Sequence, residues 1–561
     1  MDRPRSLPRS LPADLGLLGA ITGLALLLLL GSSHLRPYDA PALNPLPALL
    51  PVYLLLSLAR LAVAYVVAVL LALAIGHLAA RSPAARRVIL PTLDVLQSVP
   101  ILGFFPVAVG FFIGVFRGSA LGVEAAAIFL IFTSMFWNLA FGVYESLITL
   151  PEEIALAASQ FGLRGSLRWS RLILSAAVPG LLYNSLVSWA NGWYFLIASE
   201  IIAVGPARYT LPGLGSYLAQ AVTVGRNDQT ALALAVLLGT TVGMHVLLWG
   251  PLETWAERFR MDETGDHPRT PRIARGLGRS RIVRWVTGRL VIPAGEQALG
   301  LAGRVLNAID RHGAWAGGLA GLALVASMGH GASRLYALFA SRPLSTDIRG
   351  IVLDLLSSFL RVGLGVAVSA ALAVPIAERI ARHPRWRSPA LALIQILASI
   401  PATAFFPVLV ILLTWGLGMN LGAILLALTT MFWYVLFNVL GAATAIPKEM
   451  QEAARSLGLR GVGYMQRLFV PAILPSLITG CVTAWGAGWN AMILCEYLEA
   501  GRRTYSVRGI GATLDRATYV TGDMQVVAAS LAAMVALIIL VNRLFWDPLY
   551  QHAAGRYKIG V

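Results

Sequence analysis

The chain has 561 residues, of which 57% are hydrophobic and only 13% are charged, and its mean hydropathy is +0.72. Because a soluble domain carries about 25% charged residues, this composition excludes a soluble enzyme, a secreted disulfide scaffold and a disordered chain. The net charge of +17 would suit a nucleic-acid binder, but the basic residues lie at the ends of apolar runs. We therefore expect lipid, and no nucleic acid, around this chain.

Apolar windows long enough to cross a bilayer of about 30 Å recur along the whole sequence. They predict an all-α membrane protein with about twelve spans in two series of six. The first series lies near 15–31, 52–79, 90–116, 121–143, 172–199 and 229–250, and the second near 314–333, 351–378, 389–416, 420–442, 469–498 and 524–546.

The distribution of Lys and Arg predicts the orientation of these spans. With the amino terminus inside, the segments assigned to the cytoplasm hold 30 basic residues and those outside hold 11. Cytoplasmic loops carry an excess of Lys and Arg, so both termini are expected on the cytoplasmic side of the membrane.

One long polar segment, 253–313, separates a first domain (1–252) from a second domain (314–561). It carries seven arginines and no acidic residue between Arg269 and Arg289. Two interpretations stay open: a basic linker that rests on anionic lipid, or a docking site for a partner protein.

The two series are copies of each other, which is the most informative feature of the sequence. Both start on the same side of the membrane, so they form a parallel repeat around one pseudo-two-fold axis. The matching pairs include Ser98 and Ser399, Arg60 and Arg361, Trp137 and Trp433, Gly162 and Gly458, Trp193 and Trp489, Glu200 and Glu496, and Gly213 and Gly509.

Each half also contains a short cytoplasmic stretch between its fourth and fifth spans, at 152–171 and 448–467, that is too polar to cross the membrane. Pro447 at the first turn, Glu449 soon after it and Gly458 at the end are start and stop signals for a short helix. The small residues Ala453 and Ala454 would let another surface approach closely.

The second of these stretches resembles the "EAA" loop of permeases in binding-protein-dependent ABC importers. It reads Glu452-Ala453-Ala454, three residues, Gly458, nine residues and Leu468-Phe469-Val470-Pro471. The family pattern ends Ile-x-Leu-Pro, so Leu468 and Val470 are conservative departures. The Ser-x-Pro and Phe-Pro pattern of the third span and Glu496 ahead of Gly509 resemble the nitrate, sulfonate and taurine branch, here with two permease domains fused in tandem.

The first half departs further from this motif. Its equivalent run is Leu156-Ala157-Ala158, three residues and Gly162, and Ser175 stands where the family has proline. The nearest acidic residues, Glu152 and Glu153, lie almost one helical turn earlier.

The resemblance implies a type I importer permease whose coupling residues are Glu152, Glu153, Ala157, Ala158 and Gly162, with Glu449, Glu452, Ala453, Ala454 and Gly458 in the second half. It implies as partners two copies of an ABC ATPase subunit and a periplasmic solute-binding protein. Neither lysine of the chain lies in a phosphate-binding loop, so ATP and Mg²⁺ are expected on the ATPase and no cofactor or metal on this chain.

Charges inside spans are costly, and here they recur in register: Arg60 with Glu200 and Arg361 with Glu496. Three interpretations stay open. Each arginine pairs with the glutamate of its own half, or attracts an anionic solute, or reaches to the lipid headgroups.

Polar and aromatic residues near the expected axis are candidates for the solute path, although packing is an equally ordinary role for such residues. They are Ser98, Phe104, Asn138, Asn184, Trp189, Asn191 and Trp193, with the counterparts Ser399, Phe405, Tyr434, Gly480, Trp485, Ala487 and Trp489. The mismatches, such as Asn138 against Tyr434, predict an asymmetric passage.

The resemblance implies a subunit of the bacterial inner membrane, not itself an enzyme, that forms the path for a small, anionic solute such as nitrate, a sulfonate, taurine or bicarbonate. A fused ferric-iron permease is an alternative of the same class. An ion-gradient-driven carrier with Glu200 and Glu496 as ion sites, and a membrane scaffold without transport, are alternatives of other classes.

Overall fold

A computed structural model describes residues 46–98, 101–116, 120–148, 150, 152–163, 165–204, 207–256, 348–383, 418–500 and 503–556, together with isolated positions between 333 and 416. The predicted spans near 15–31 and 314–333 and the linker 253–313 lie outside these residues, except for 253–256. The span near 389–416 lies largely outside them.

Eight helices within the described residues are long and apolar enough to cross a membrane. Their positions agree with eight of the twelve predicted spans. They are Pro47–Arg81, Leu121–Ile148, Arg171–Ser199, Asn227–Leu252, Arg349–Arg382, Met419–Thr444, Gly461–Glu496 and Met524–Ala553. The chain is therefore a multi-pass membrane protein.

The described residues of the first half form ten α-helices and one hairpin. In chain order they are α1 (Leu50–Arg81), α2 (Pro83–Ser98), α3 (Ile101–Val115), α4 (Ala120–Ile148), α5 (Glu152–Gln160), α6 (Ser166–Arg168), α7 (Leu174–Ser199), β1 (Ile201–Val204), β2 (Ala207–Thr210), α8 (Leu214–Val224), α9 (Asn227–Met244) and α10 (Gly250–Ala256).

The second half repeats most of this order. Its described elements are α11 (Ile348–Arg382), α12 (Met419–Ala445), α13 (Lys448–Ser456), α14 (Gly461–Tyr464), α15 (Val470–Glu496), β3 (Tyr497–Ala500), β4 (Arg503–Ser506), α16 (Ile510–Asp515), α17 (Met524–Val541) and α18 (Asp547–Arg556). Turns of π-helix join α6 to α7 at Trp169–Ile173 and α14 to α15 at Met465–Phe469, which are equivalent positions.

The predicted span near 90–116 is described as two helical segments, α2 up to Ser98 and α3 from Ile101 to Val115. Residues 99 and 100 lie outside the described residues, so a continuous span across this segment stays a prediction.

Local sequence also explains how α2 begins. Ser82, directly after α1, has extended backbone, and its Oγ accepts a hydrogen bond from the backbone N–H of Ala85 at 3.3 Å. Pro83 then occupies the first helical position, where its missing N–H costs nothing. The long helix α1 is therefore followed directly by α2.

Both halves contain a short antiparallel hairpin that the sequence did not predict. In the first, Ile201 pairs with Thr210 and Val204 with Ala207. In the second, Tyr497 pairs with Ser506 and Ala500 with Arg503. Each hairpin follows directly on the span that ends in the buried glutamate, so the fold is helical with two small outer hairpins.

Apolar side chains face outward on the long helices as well as inward. Leu55 of α1 is 65% exposed and Leu360 of α11 is 61% exposed, and both lie within predicted spans. In water such surfaces would be unfavourable, whereas lipid solvates them. The buried faces pack the two halves together, since Tyr194 and Phe195 of α7 belong to the same core cluster as Trp489 of α15.

The turn between α8 and α9 shows a glycine that the backbone requires. Gly225 ends α8 with φ of 75°, and the N–H of Arg226 returns to the carbonyl of Ala221 at 2.9 Å. An L-residue in this left-handed conformation is strained by about 1 kcal/mol or slightly more.

Gly225→Ala is therefore expected to lower the free energy of unfolding by about 1 kcal/mol, because a Cβ there meets nothing within 4 Å and only the backbone strain is added. The measurement is the thermal unfolding midpoint of the purified protein in detergent. Gly239→Ala, in the interior of α9 with equally open surroundings, is the control and should leave the midpoint unchanged or raise it. Equal midpoints for both variants would contradict the explanation.

Candidate functional site

Each half holds a fully buried carboxylate where its fifth predicted span ends. Glu200 follows the last residue of α7, Glu496 is the last residue of α15, and neither side chain has any exposed surface. A buried carboxylate is stable only when charge and hydrogen bonds compensate for its lost hydration. We call the groups that surround Glu200 and Glu496 the first and second charge clusters.

In the first charge cluster, three groups donate to Glu200. Arg60 Nη1 donates to Oε1 at 2.9 Å, Ser57 Oγ donates to the same oxygen at 2.5 Å, and the backbone N–H of Gly215 donates to Oε2 at 2.6 Å. Ser57 Oγ in turn accepts from the N–H of Leu214 at 2.9 Å. The cluster thus connects α1, the end of α7 and the start of α8.

The second charge cluster repeats this arrangement. Arg361 Nη1 donates to Glu496 Oε1 at 2.6 Å, Ser358 Oγ donates to it at 2.7 Å, and the N–H of Gly511 donates to Oε2 at 2.8 Å. Ser358 Oγ accepts from the N–H of Ile510 at 2.9 Å. The pairing of each arginine with the glutamate of its own half is therefore confirmed.

Glycine is required beside each carboxylate for lack of space. A Cβ built at Gly213 would overlap the carboxylate of Glu200, and one at Gly509 would overlap that of Glu496. A Cβ at Gly215 would also lie 2.7 Å from Ile197 Cα. The Gly-x-Gly sequence of each half thus lets the next helix begin directly against the buried charge.

The two charge clusters differ in the second partner of the arginine. Arg60 donates through Nε and Nη2 to both oxygens of Glu124, at 2.6 and 2.7 Å. In the second half the equivalent position is Asn420, whose neutral Oδ1 accepts from Arg361 Nη2 at 2.7 Å. Arg60 therefore has two carboxylate partners and Arg361 has one among the described residues. Glu124 was missed by the sequence analysis, although an acidic residue near the start of a span was the available signal.

The short helices α5 and α13 lie at the opposite ends of these spans, between α4 and α6 and between α12 and α14. Each has nine residues. Gly162 and Gly458, with φ of 72° and 73°, follow their ends. The N–H of Leu163 donates to the carbonyl of Ala158, and that of Leu459 donates to the carbonyl of Ala454. Both helices thus end in the same left-handed turn.

The exposed surfaces of α5 and α13 are not alike. Ala158 and Ala454 are buried against the membrane domain, at 7% and 4% exposure. On the outer side, Glu449 and Glu452 are exposed in the second half. Leu156, which stands where the second half has Glu452, is 61% exposed in the first, and Phe161 beyond the helix is 85% exposed. The first surface is therefore more apolar and the second more highly charged, with Glu449, Glu452 and Arg455 exposed in the second and Glu153 exposed in the first.

Hydrogen bonds join the halves across the expected axis. Asn191 of α7 is hydrogen-bonded to Tyr434 of α12. Asn191 Nδ2 donates to the Tyr434 hydroxyl at 2.6 Å, and the same hydroxyl donates to Asn191 Oδ1 at 2.9 Å. The N–H of Ile101 in α3 donates to Asn490 Oδ1 of α15 at 2.7 Å. The repeat-related position of Asn191 is Ala487, so these contacts are not symmetric.

Two small cavities lie between the halves beside these contacts, with volumes of about 90 and 50 Å³. Four polar residues line both cavities: Asn191, Tyr194, Thr430 and Tyr434. We call these four residues the polar girdle. Because one water needs roughly 10–15 Å³ of such volume, each cavity has room for a few small molecules.

Comparison with known families decides which class of membrane protein this is. Residues 68–249 and 363–551 each match the family described as binding-protein-dependent transport system inner membrane component. The two matches lie one in each half and together cover more than half of the chain. The chain belongs to this family. It carries two permease domains in tandem.

Several curated proteins that are similar to this permease carry the name of a solute in their own names. The nitrate import permease of Leptolyngbya laminosa is 26% identical over 193 residues, which are 33% of this chain and 64% of that protein. The aliphatic sulfonates transport permease, described as putative, of Escherichia coli is 29% identical over 166 residues, 28% of this chain and 60% of that protein. The taurine transport system permease of the same species is 23% identical over 186 residues, 33% and 64%. The matches thus span less than two thirds of the length of these relatives.

The permease brings only some of the candidate path residues to the cavities. Those that line them are Asn138, Trp189, Asn191, Tyr434 and Ala487. Trp193 and Trp489 are fully buried in the cores and do not line either cavity. Phe405 is 38% exposed and lines neither. The side chains of Ser98, Phe104 and Ser399 lie outside the described residues.

Tyr194 and Thr430 are lining residues that the sequence analysis missed. Tyr194 follows Trp193 directly, and its repeat counterpart is Asn490, a change from aromatic to amide that could have been a signal. Thr430 precedes the Met-Phe-Trp repeat without any distinguishing pattern.

The difference between the charge clusters predicts unequal sensitivity to mutation. Glu496→Gln would leave Arg361 buried without a carboxylate among the described residues, and breaking a buried pair costs about 3–5 kcal/mol. Glu200→Gln would leave Arg60 paired with Glu124, so we expect it to cost at least about 1 kcal/mol less. The measurement is thermal unfolding of the purified permease.

A rescue variant sharpens this comparison. Asn420→Asp places a carboxylate where Glu124 stands in the first half, so it should recover part of the stability that Glu496→Gln loses. Equal destabilisation by the two glutamine variants, together with no recovery in Glu496→Gln/Asn420→Asp, would show that the second partner of the arginine has no such role.

Proposed function

We propose that this permease forms the pathway of an ATP-driven importer in the bacterial inner membrane, with both termini in the cytoplasm. ATP and Mg²⁺ act on two copies of a separate ATPase subunit, and a periplasmic solute-binding protein delivers the solute. The solute is a small anion of the nitrate, sulfonate, taurine or bicarbonate type. The names of the similar permeases and the asymmetric, polar lining between the halves support this proposal.

The observation that carries the proposal is the repeated pair α5 and α13. A short helix with an exposed outer surface and the same glycine-ended turn lies at equivalent places in both halves. Each is joined by a turn to the span that ends, at the far side of the membrane, in a charge cluster. A partner that moves these two helices would therefore move the spans around the cavities.

The coupling residues have distinct roles in this proposal. Ala158 and Ala454 hold the helices against the membrane domain, while Ala157 and Ala453 let the ATPase approach closely. Gly162 and Gly458 end the helices. Glu449 and Glu452 pair with basic residues of the ATPase, and in the first half Glu152 and Glu153 take that role beside the apolar side chain of Leu156.

Glu452→Lys is expected to weaken ATPase binding by at least tenfold, because an attractive charge becomes a repulsive one at an exposed docking surface. The measurements are co-purification of the ATPase and ATP-dependent uptake in proteoliposomes. Asp228→Lys, an equal change of charge at the start of α9 and away from α5 and α13, is the control. Unchanged ATPase binding and unchanged uptake in Glu452→Lys would contradict the coupling role.

The solute class and the energy source have separate tests. Proteoliposomes that contain the permease, its ATPase and its binding protein should accumulate nitrate or methanesulfonate with ATP and should not accumulate ferric iron. Accumulation by the permease alone, driven by a proton or sodium gradient, would overturn the proposal in favour of an ion-driven carrier.

A further inference from the structure

The polar girdle is the place where the two halves of the pathway meet. Asn191 and Tyr194 come from α7 of the first half, and Thr430 and Tyr434 come from α12 of the second. Because all four line both cavities, a solute that passes from one cavity to the other must pass between them. The hydrogen-bonded pair of Asn191 and Tyr434 closes this passage in the described conformation.

Two hydrogen-bonding groups of the polar girdle have no hydrogen-bond partner among the described residues. They are the Tyr194 hydroxyl and Thr430 Oγ1, and both are buried. Leaving such a group unpaired is costly, so it marks a place where another molecule can contribute an interaction. Opening of the Asn191–Tyr434 pair would release two more donors, the Asn191 amide and the Tyr434 hydroxyl.

The walls of the cavities add groups that can only donate. Trp189 and Trp249 line one cavity and Trp137 lines the other, and the indole N–H of each has no partner among the described residues. An indole N–H has no acceptor capacity. The hydroxyls of Thr241 and Thr429 already donate to carbonyls of their own helices. The unpaired groups of the lining therefore favour a solute that only accepts.

The lining is poor in groups that can carry a charge, and His245 is the one basic side chain among the described lining residues. Among the described residues that line the cavities there is no Asp, Glu, Lys or Arg. A site of neutral donors still favours an anion, since hydrogen bonds to a charged acceptor are about twice as strong as neutral ones. It also binds less tightly than an arginine would, and a pathway needs binding weak enough for release.

We propose that the polar girdle is a selectivity site that holds the solute as a desolvated oxyanion through neutral donors alone. Tyr194 and Thr430 donate first, and Asn191 and Tyr434 exchange their mutual hydrogen bonds for bonds to the solute as the passage opens. The site selects molecules that carry several acceptor oxygens and no donor, which narrows the proposed solutes to nitrate and simple sulfonates and disfavours taurine, with its ammonium group, and bicarbonate, with its hydroxyl group. This inference rests on the proposed function and specifies the solute chemistry of the same pathway.

The test is equilibrium binding to the full-length permease in lipid nanodiscs, followed by the fluorescence of the lining tryptophans. The probes are methanesulfonate and methanesulfonamide, which have nearly the same shape, although one acceptor oxygen of the anion is replaced by a donor NH₂ in the neutral amide. We expect methanesulfonate to bind at least tenfold more tightly.

Tyr194→Phe and Thr430→Val should each weaken methanesulfonate binding about tenfold and leave the weak methanesulfonamide binding almost unchanged. Tyr217→Phe is the matched control, because the Tyr217 hydroxyl is equally buried and unpaired among the described residues but lines neither cavity. Thermal unfolding of each variant verifies that the fold is retained, and the two girdle variants provide independent tests if one of them is unstable.

Equal binding of the two probes, no binding of methanesulfonate, or unchanged affinity in a folded girdle variant would overturn the selectivity site. ATP-dependent methanesulfonate uptake is measured on the same preparations. If wild-type uptake is normal while the girdle variants keep full affinity, only this inference fails. If the girdle variants lose affinity as expected while ATP drives no uptake, the proposed importer fails and the binding site stands.

Discussion

A carboxylate without contact with water must receive its stabilisation from the protein, and in this permease two such carboxylates determine how the outer ends of the spans are arranged. Glu200 and Glu496 each accept hydrogen bonds from an arginine, a serine and a backbone N–H, and these donors lie on separate elements. Because removal of any donor would leave charge unsatisfied in a poorly polarisable environment, the elements are held in one relative position. The hairpins and the helices after them can then be short.

This arrangement gives each half a fixed end and a movable end. At the fixed end, the charge cluster joins the second and fifth predicted spans. At the other end, α5 and α13 are separated from their spans by left-handed glycines and turns of π-helix at Trp169–Ile173 and Met465–Phe469. Such turns are less regular than α-helix and frequently occur at functional positions. In the proposed importer, movement at the ends that carry α5 and α13 would therefore pivot the spans about the charge clusters and change the spacing across the polar girdle.

Sequence reasoning succeeded where a signal was long or duplicated. Apolar windows located eight described spans because lipid demands about twenty apolar residues. The repeat pointed to Arg60 with Glu200 and Arg361 with Glu496 because the same charges recur at matching positions of the two halves. It failed where structure depends on distance between elements. The hairpins have strands of four residues, and the Glu124 contact depends on how α1 packs on α4. Thr430 gave no signal because hydroxyl residues are common in packed spans, and the change from Tyr194 to Asn490 between the halves was not used.

The fusion of the halves has a consequence for how such a pathway can diversify. In an assembly of two identical subunits, every substitution appears on both sides of the axis. A tyrosine at one position therefore contacts either its own copy or the same neighbouring residue on each side. Here Asn191 faces Tyr434 while their counterparts are Ala487 and Asn138. Joining both halves in one polypeptide guarantees that unlike partners are always made together. The two sides are thus free to specialise separately, one step at a time, in a way that a symmetric pair cannot follow.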